Sequence, residues 1–316
     1  MDVSVIIVNW NTEDLLQECL QSVFEAPQTI DLEVIVVDNA SSDGSVAMVE
    51  KAFPQVKLVQ NPDNKGFAAA NNQGMALAQG RYILLLNSDT VVLDDAIGAT
   101  TRFADAHDDV AVTGCRVLNA DRSLQPTCFM YPSLLNMLLS SSYLYKLFPK
   151  SRFFGRERMT WWDRTDTRDV DVVTGCFMLV RRDAIDQVGC LDESFHMYGE
   201  ETDWCYRFKE AGWRVVFAPD GEIVHYGGAS SRQKPAEMTL QLRGSILLFL
   251  KKHRGILSYA VARVLVALYF FLRIPYWLCK GLLSGAQRQS CFSVVRTYLA
   301  GGYKSLFGLN LCVKKP

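Results

Sequence analysis

Short apolar runs alternate with amphipathic stretches through the first third of the chain. Residues 3–8, 32–37, 56–59 and 82–86 are apolar runs of strand length. Between them, 13–25, 45–53, 67–78 and 94–106 read as helices, the third rich in Ala and Asn. Strand, helix, strand in this rhythm predicts an α/β fold. Its centre is a mostly parallel, Rossmann-like sheet with helices on both faces. From 118 to about 169 the rhythm breaks. This stretch holds Pro126, Pro132 and Pro149, many aromatics, and Lys146, Lys150, Arg152, Arg156 and Arg158. It reads as an irregular insertion beside the site. Regularity returns over 170–181, with helices expected over 183–188 and 201–211 and a strand over 213–218. From 245 to 307 the chain is different material: apolar, aromatic and dotted with Arg and Lys.

Composition narrows this picture. With 316 residues, 49% hydrophobic and 21% charged, the chain can pack a sizeable core. A formal net charge of -1, with no basic run or nucleic-acid motif, argues against a nucleic-acid partner. The nine cysteines are odd in number and form no CxxC pair, so reduced, mostly buried thiols are expected. Met1-Asp2 is acidic and the run 3–8 is short, so no signal peptide is expected and the chain should stay in the cytoplasm.

Three polar loops follow the early strands, where ligands bind in an open parallel sheet. The first runs Asp38-Asn39-Ala40-Ser41-Ser42-Asp43-Gly44. A carboxylate there can accept a hydrogen bond from a base or a ribose hydroxyl; an Asx turn is the bland alternative. The second, Asn61-Pro62-Asp63-Asn64-Lys65-Gly66, opens a helix that carries Asn71 and whose free N–H groups could hold an anion. It lacks the spacing of a Walker loop, and an ordinary turn is its alternative. The third, Asn87-Ser88-Asp89, ends an apolar strand in a hard oxygen ligand suited to Mg²⁺ or Mn²⁺, or else in a helix cap.

Together with the opening Val3-Ser4-Val5-Ile6-Ile7-Val8-Asn9-Trp10-Asn11, these loops resemble the nucleotide-binding half of glycosyltransferase family 2, in its rhamnosyltransferase-like branch. The resemblance implies a GT-A fold. It assigns Asp38 to the donor's base and Asp89, after Asn87 and Ser88, to a metal on the diphosphate. Asn9, Asn39, Asn64, Gly66 and Asn71 complete the implied donor side. The likeness continues through Thr174-Gly175-Cys176, the acceptor-side strand, and through Glu200-Glu201-Thr202-Asp203, which stands where the family has Glu-Asp-x-Asp. Glu201 is then the expected base, with Asp203 in reserve and Glu200, Thr174 and Gly175 toward the acceptor. A cluster of acids at a helix start is the bland reading of that stretch. Val224-His225-Tyr226-Gly227-Gly228-Ala229-Ser230 resembles the late His motif whose imidazole can join the metal.

The implied activity is inverting transfer of a sugar from a nucleotide-diphosphate donor, with dTDP-L-rhamnose as first choice. The acceptor is a glycan or polyprenyl-diphosphate-linked hydroxyl in cell-surface polysaccharide synthesis. Another UDP-sugar specificity, or an inactive nucleotide- or carbohydrate-binding module, are the alternatives. The expected domains are 1–240, catalytic, in halves 1–115 and 116–240, and 241–316, a helical membrane-associating tail. Each side of Arg263 is too short to span a bilayer, so an interfacial pair of helices at the inner face of the cell membrane is expected. A buried hairpin or a contact between copies of the chain is the alternative.

Overall fold

A computed structural model describes residues 1–27, 29–195, 197–227, 235–284, 287–309 and 311. The chain forms two compact units. The first comprises Met1–Tyr131, Arg158–His196 and Glu200–Ser230, and the second Pro132–Glu157, Met197–Gly199 and Ser231–Pro316.

Unit 1 opens with β1 (Val3–Asn9), α1 (Glu13–Glu25), β2 (Leu32–Asp38), α2 (Ser45–Ala52), β3 (Lys57–Gln60), α3 (Phe67–Leu77) and β4 (Tyr82–Asn87). It continues with β5 (Thr90–Val92), α4 (Ala96–Asp105), β6 (Val110–Leu118) and β7 (Cys128–Phe129). The chain then enters unit 2 for α5 (Leu134–Ser142) and α6 (Leu144–Leu147). It returns for β8 (Arg168–Asp169), β9 (Val172–Val173), β10 (Phe177–Arg181), α7 (Arg182–Val188), α8 (Glu200–Glu210) and β11 (Arg214–His225). The main sheet runs β3-β2-β1-β4-β10-β6-β11-β5, with β8 also on β11. The strands from β3 to β4 are parallel, as the βα rhythm predicts. Beyond β4 the sheet is mixed: β10 lies antiparallel between β4 and β6, while β11 is parallel to β6 and antiparallel to β5.

Alternation along the strands divides the core in two. Val3, Val5 and Ile7 face one layer, with Leu16 and Leu20 of α1, Val49 of α2 and Ile97 of α4. Ile6 faces the other, with Ala68 and Met75 of α3 and Trp204 and Phe208 of α8. Three features depart from the sequence expectation. The apolar stretch 170–181 is two strands, because 174–176 breaks the ladder. β6 and β5 are additional strands. The strand expected over 213–218 continues to His225, passing Pro219 and Gly221 through a register shift.

Unit 2 holds α9 (Pro235–His253), α10 (Gly255–Phe271), α11 (Ile274–Leu283) and α12 (Arg288–Phe307). Gly308 closes α12 in a left-handed cap at φ 69°. Taken as one run, Gly255–Leu283 is long and apolar enough to cross a membrane by length and composition, with mean hydropathy 1.9 in its most apolar window. The sequence reading stopped at Arg263, but that guanidinium is occupied within the unit, donating to the carbonyls of Ser305 and Leu306. Unit 2 carries 18 of the chain's 33 Lys and Arg but only 2 of its 34 Asp and Glu. Among the described cysteines, Cys19, Cys115, Cys128, Cys176, Cys205 and Cys291 are buried free thiols, while Cys190 and Cys279 are exposed. Cys312 lies outside the described residues.

Helix α3 approaches β1 at Gly74, where an added Cβ would lie 2.5 Å from Cγ2 of the fully buried Ile6. Replacing a helical glycine with alanine ordinarily gains about 0.5–1 kcal/mol. Overpacking against a β-branched neighbour costs about 1–3 kcal/mol, so the clash wins. Gly74→Ala should therefore lower the urea midpoint at unchanged m; a raised midpoint would contradict this packing.

Candidate active site

Parallel register brings the ends of three strands together: Asn9 pairs with Asp38, and Val8 with Asn87. The Asp38 carboxylate accepts from Asn9 Nδ2 at 3.0 Å and from the Ser41 amide at 2.9 Å. Ser41 Oγ accepts from Asn9 Nδ2 at 3.1 Å and from the Asn11 amide at 2.9 Å. Thr12 Oγ1 donates to Asn9 Oδ1 at 2.7 Å and lies 3.0 Å from Ser88 Oγ. A single polar network thus joins Asp38, Asn9 and Ser88. Asn11 and Ala40 flank it in left-handed conformations, at φ 55° and 65°. Such strain at non-glycine residues persists where surrounding bonds enforce it.

Asn39 is buried, and its amide is fully engaged. Oδ1 accepts from Asn61 Nδ2 at 3.1 Å and the Lys65 amide at 3.0 Å, while Nδ2 donates to Asn64 Oδ1 and the Gly66 carbonyl, each at 3.2 Å. Its two acceptor and two donor positions are spent, so it shapes the 61–66 loop. Gly66, at φ 88°, turns that loop into α3. Asn71, expected on the donor side, donates to the Phe67 carbonyl within α3.

The third loop gains a partner from 138 residues away. β5 pairs with the end of β11, setting His225 opposite Thr90. His225 Nε2 then lies 3.2 Å from Asp89 Oδ1 and 3.2 Å from Asn87 Nδ2. The other ring nitrogen is 2.6 Å from Gln125 Oε1. Gln125 Nε2 donates to the His225 carbonyl and to Asn119 Oδ1, so its oxygen must accept, and His225 Nδ1 carries the proton. Nε2 is thus the ring nitrogen turned toward the Asp89 carboxylate and the Asn87 amide, and with Asp89 Oδ1 it forms a pair of candidate metal donors. One imidazole nitrogen and one carboxylate oxygen suit a divalent ion that takes further oxygens from phosphate and water. No group of three or more His, Cys, Asp or Glu among the described residues could hold a metal alone. Gln125 escaped the sequence reading because it lies in the stretch without periodicity. Gly228–Ser230 of the expected His motif are outside the described residues.

Thr174 and Gly175 precede β10. The Thr174 amide donates to the Thr127 carbonyl at 3.2 Å, and a Cβ on Gly175 would meet the Phe67 ring at 3.4 Å. Cys176 accepts from the Asn87 amide at 3.1 Å, which ties this turn to the metal-side loop.

The acids of α8 occupy three environments. Glu200 is 5% exposed, and its Oε2 has no hydrogen-bond partner. Burial, and then the neighbouring Glu201 charge, hold its carboxyl well above the ordinary value. Glu201 is half-buried. Asp203 is fully buried and paired with Arg207 Nε at 2.8 Å. Arg207 also donates to the Val188 and Cys190 carbonyls at 3.0 and 2.7 Å, binding α8 to the end of α7. The reserve base expected at Asp203 is thus engaged in holding two helices together.

The family model described as glycosyl transferase family 2 matches residues 4–189. The chain belongs to glycosyltransferase family 2. Among relatives of this family member is the N-acetylglucosaminyl-diphospho-decaprenol L-rhamnosyltransferase of Mycobacterium tuberculosis, 27% identical over 79% of this chain and 85% of the relative. The pre-mycofactocin glycosyltransferase of the same species is 28% identical over 71% of this chain and 42% of its own length. The solved mannosyltransferase of Pyrobaculum calidifontis, in complex with GDP-Man and Mn²⁺, shares the fold with TM-score 0.58 and 16% identity, covering 97% of this chain and 87% of that one. This glycosyltransferase therefore has the GT-A architecture, and its rhamnosyltransferase-like resemblance extends over most of the chain.

The Glu200 environment gives this family 2 member a testable pH signature. Its folded pKa is raised, so the folded state holds a proton that the unfolded state releases above about 4.5. Glu200 thus contributes stability that is full below 4.5 and declines as pH rises toward the folded value. Glu200→Gln should remove that decline and be more stable than the parent at pH 8. Parallel stability–pH curves for the two proteins would refute the buried neutral acid.

Proposed function

We propose that this family 2 glycosyltransferase is a divalent-metal-dependent inverting enzyme that transfers L-rhamnose from dTDP-L-rhamnose to a polyprenyl-diphosphate-linked glycan. The observation that carries the reading is the meeting of His225 Nε2 with Asp89 Oδ1 at 3.2 Å beside the Asp38–Asn9–Ser88 network. The choice of sugar and acceptor rests on the mycobacterial relative's printed activity.

In this reading Asp38, held by Asn9 and Ser41, offers its remaining lone pairs to the nucleotide base. Asp89 and His225 would hold the divalent cation, with Gln125 orienting the imidazole through Nδ1 and Asn87 Nδ2 giving up its contact with Nε2 when the cation binds. The cation, when bound, neutralises charge on the departing diphosphate. Glu201 takes the acceptor hydroxyl's proton as that oxygen attacks the anomeric carbon, a role worth about 10²–10⁴-fold. One displacement inverts the centre and needs no carboxylate nucleophile. The Asp203–Arg207 pair supports Glu201 as the base, because Asp203 is committed elsewhere.

Unit 2 supports a place on the inner face of the membrane. Leu147, Ile256, Leu257, Leu272 and Leu283 are each 73% exposed or more, in a unit with 18 cations and 2 acids. Exposed apolar side chains beside a cationic surplus fit the boundary of an anionic bilayer. Arg243, Lys251, Lys252, Arg288, Arg296 and Lys304 on the neighbouring helices favour lying on the bilayer over spanning it.

With dTDP-L-rhamnose, Mn²⁺ and a polyprenyl-diphosphate N-acetylglucosamine acceptor, the protein should form a disaccharide lipid. Absence of product with this donor, but product with a UDP-sugar, would overturn the rhamnose assignment. Glu201→Gln should still bind donor while transfer falls by about 10²–10⁴-fold. Asp203→Asn should instead lose stability, by about 1.5–3 kcal/mol on the scale for a hydrogen bond to a charged group, because Arg207 is partly exposed and keeps its carbonyl acceptors. A stable but inactive Asp203→Asn alongside an active Glu201→Gln would move the base to Asp203.

A further inference from the structure

Within unit 2, three elements bring cations around aromatic rings. Arg243 of α9 places its guanidinium carbon 4.0 Å from the ring centre of Tyr269 on α10. Arg273, between α10 and α11, lies 3.7 Å from the same ring and 5.3 Å from that of Tyr143. Lys146 of α6 stands 5.1 Å from the Tyr143 ring. Tyr143 itself has left-handed backbone, φ 58°, at the junction of α5 and α6. Two guanidinium groups sharing one ring are within about 8 Å of each other, so their positive fields add beside that ring.

Among the described residues these cations have no anionic partner. Among the described residues no hydrogen bond or ion pair engages Arg243, and its Nε is buried without a partner. Arg273 donates to the carbonyls of Tyr269 and Ser141, at 3.0 and 2.9 Å, which fix the guanidinium without neutralising it. The acids of the whole unit are Glu157 and Glu237. Burial alone would raise the Tyr143 hydroxyl's pKa. It is instead lowered, by a hydrogen bond and the charge of Arg273 and by Lys146, a sign of the local positive field. Aromatic faces accommodate guanidinium groups, but they do not cancel the mutual repulsion of two of them. An anion would.

We propose that Arg243, Arg273 and Lys146, organised by Tyr269 and Tyr143, form a phosphate-binding site on unit 2. Its ligand is a terminal phosphate or diphosphate, and the source we favour is the head of a polyprenyl-diphosphate lipid. The choice of source rests on the membrane-bound acceptor proposed above; the phosphate chemistry does not.

The test uses the full chain with Arg243→Gln, which breaks no hydrogen bond among the described residues, and Arg273→Lys, which keeps charge but loses the fork. Flotation is measured on three vesicles: phosphatidylcholine alone, with phosphatidylglycerol, and with polyprenyl diphosphate. Thermal shift with inorganic pyrophosphate provides the free-phosphate arm. For polyprenyl-diphosphate vesicles each variant should bind about tenfold more weakly than the parent. This exceeds the roughly fivefold that one cation contributes to attraction by any anionic surface. Phosphatidylglycerol binding should change little, and pyrophosphate should stabilise the parent more than either variant. Equal losses on both anionic vesicles would overturn the site and leave only a diffuse field, as would parental behaviour of both variants in every arm. If the parent floats with no vesicle, the membrane reading fails. A pyrophosphate shift lost in Arg243→Gln would then uphold the site with a free diphosphate as its source.

Discussion

β5 is three residues long, and its antiparallel pairing with the end of β11 sets Thr90 opposite His225. That register brings the imidazole within 3.2 Å of Asp89, a carboxylate just past the end of β4. A slip of one residue would send the imidazole to the other face of the strand. The register is in turn held by the parallel pairing of β11 with β6, and β6 is held by β10, inserted antiparallel beside β4. The meeting of Asp89 and His225 therefore depends on the late strands packing against the early ones, even though each loop closes its own hydrogen bonds.

This dependence explains what could be read from the chain. β1, β2 and β4 were legible because parallel strands buried on both faces are continuous apolar runs, and the loops after β2 and β4 carried Asp38 and Asp89 in plain view, whereas the edge strand β3 shows only Leu58 and Val59 between polar ends. Residues 110–118 carry Thr, Gly, Cys and Arg among their apolar positions and pass less clearly for a strand. The His225 partner Gln125 has no pattern to announce it. Asn39 and Asn71 looked like ligand-binding residues because they are polar and near the strand ends. The hydrogen-bond geometry adds that the Asn39 amide is spent on the 61–66 loop and that Asn71 Nδ2 donates to the Phe67 carbonyl within α3.

The first turn of α8 shows how position along a helix divides similar groups. Glu200, Glu201 and Asp203 are one element's acidic start, and sequence alone ranks them only by motif. Burial makes Glu200 an acid that prefers its proton. Arg207 makes Asp203 half of a buried ion pair. Glu201 is the half-exposed member of the three. Three side chains favoured by the same helix dipole thus come to differ in burial and in partners.

The net charge of -1 is an average over two opposite populations. Unit 1 holds 15 Lys and Arg against 32 Asp and Glu, and unit 2 holds 18 against 2. An isoelectric point near 6.4 therefore describes neither. Such a chain should adhere to both anion and cation exchangers near neutrality. In dilute buffer the acidic unit of one copy attracts the basic unit of another. At 0.1 M salt, screening shortens that reach to about 10 Å. The protein's colloidal behaviour is thus governed by ionic strength more than by pH, and a purification that removes salt invites clustering in a molecule that looks neutral on paper.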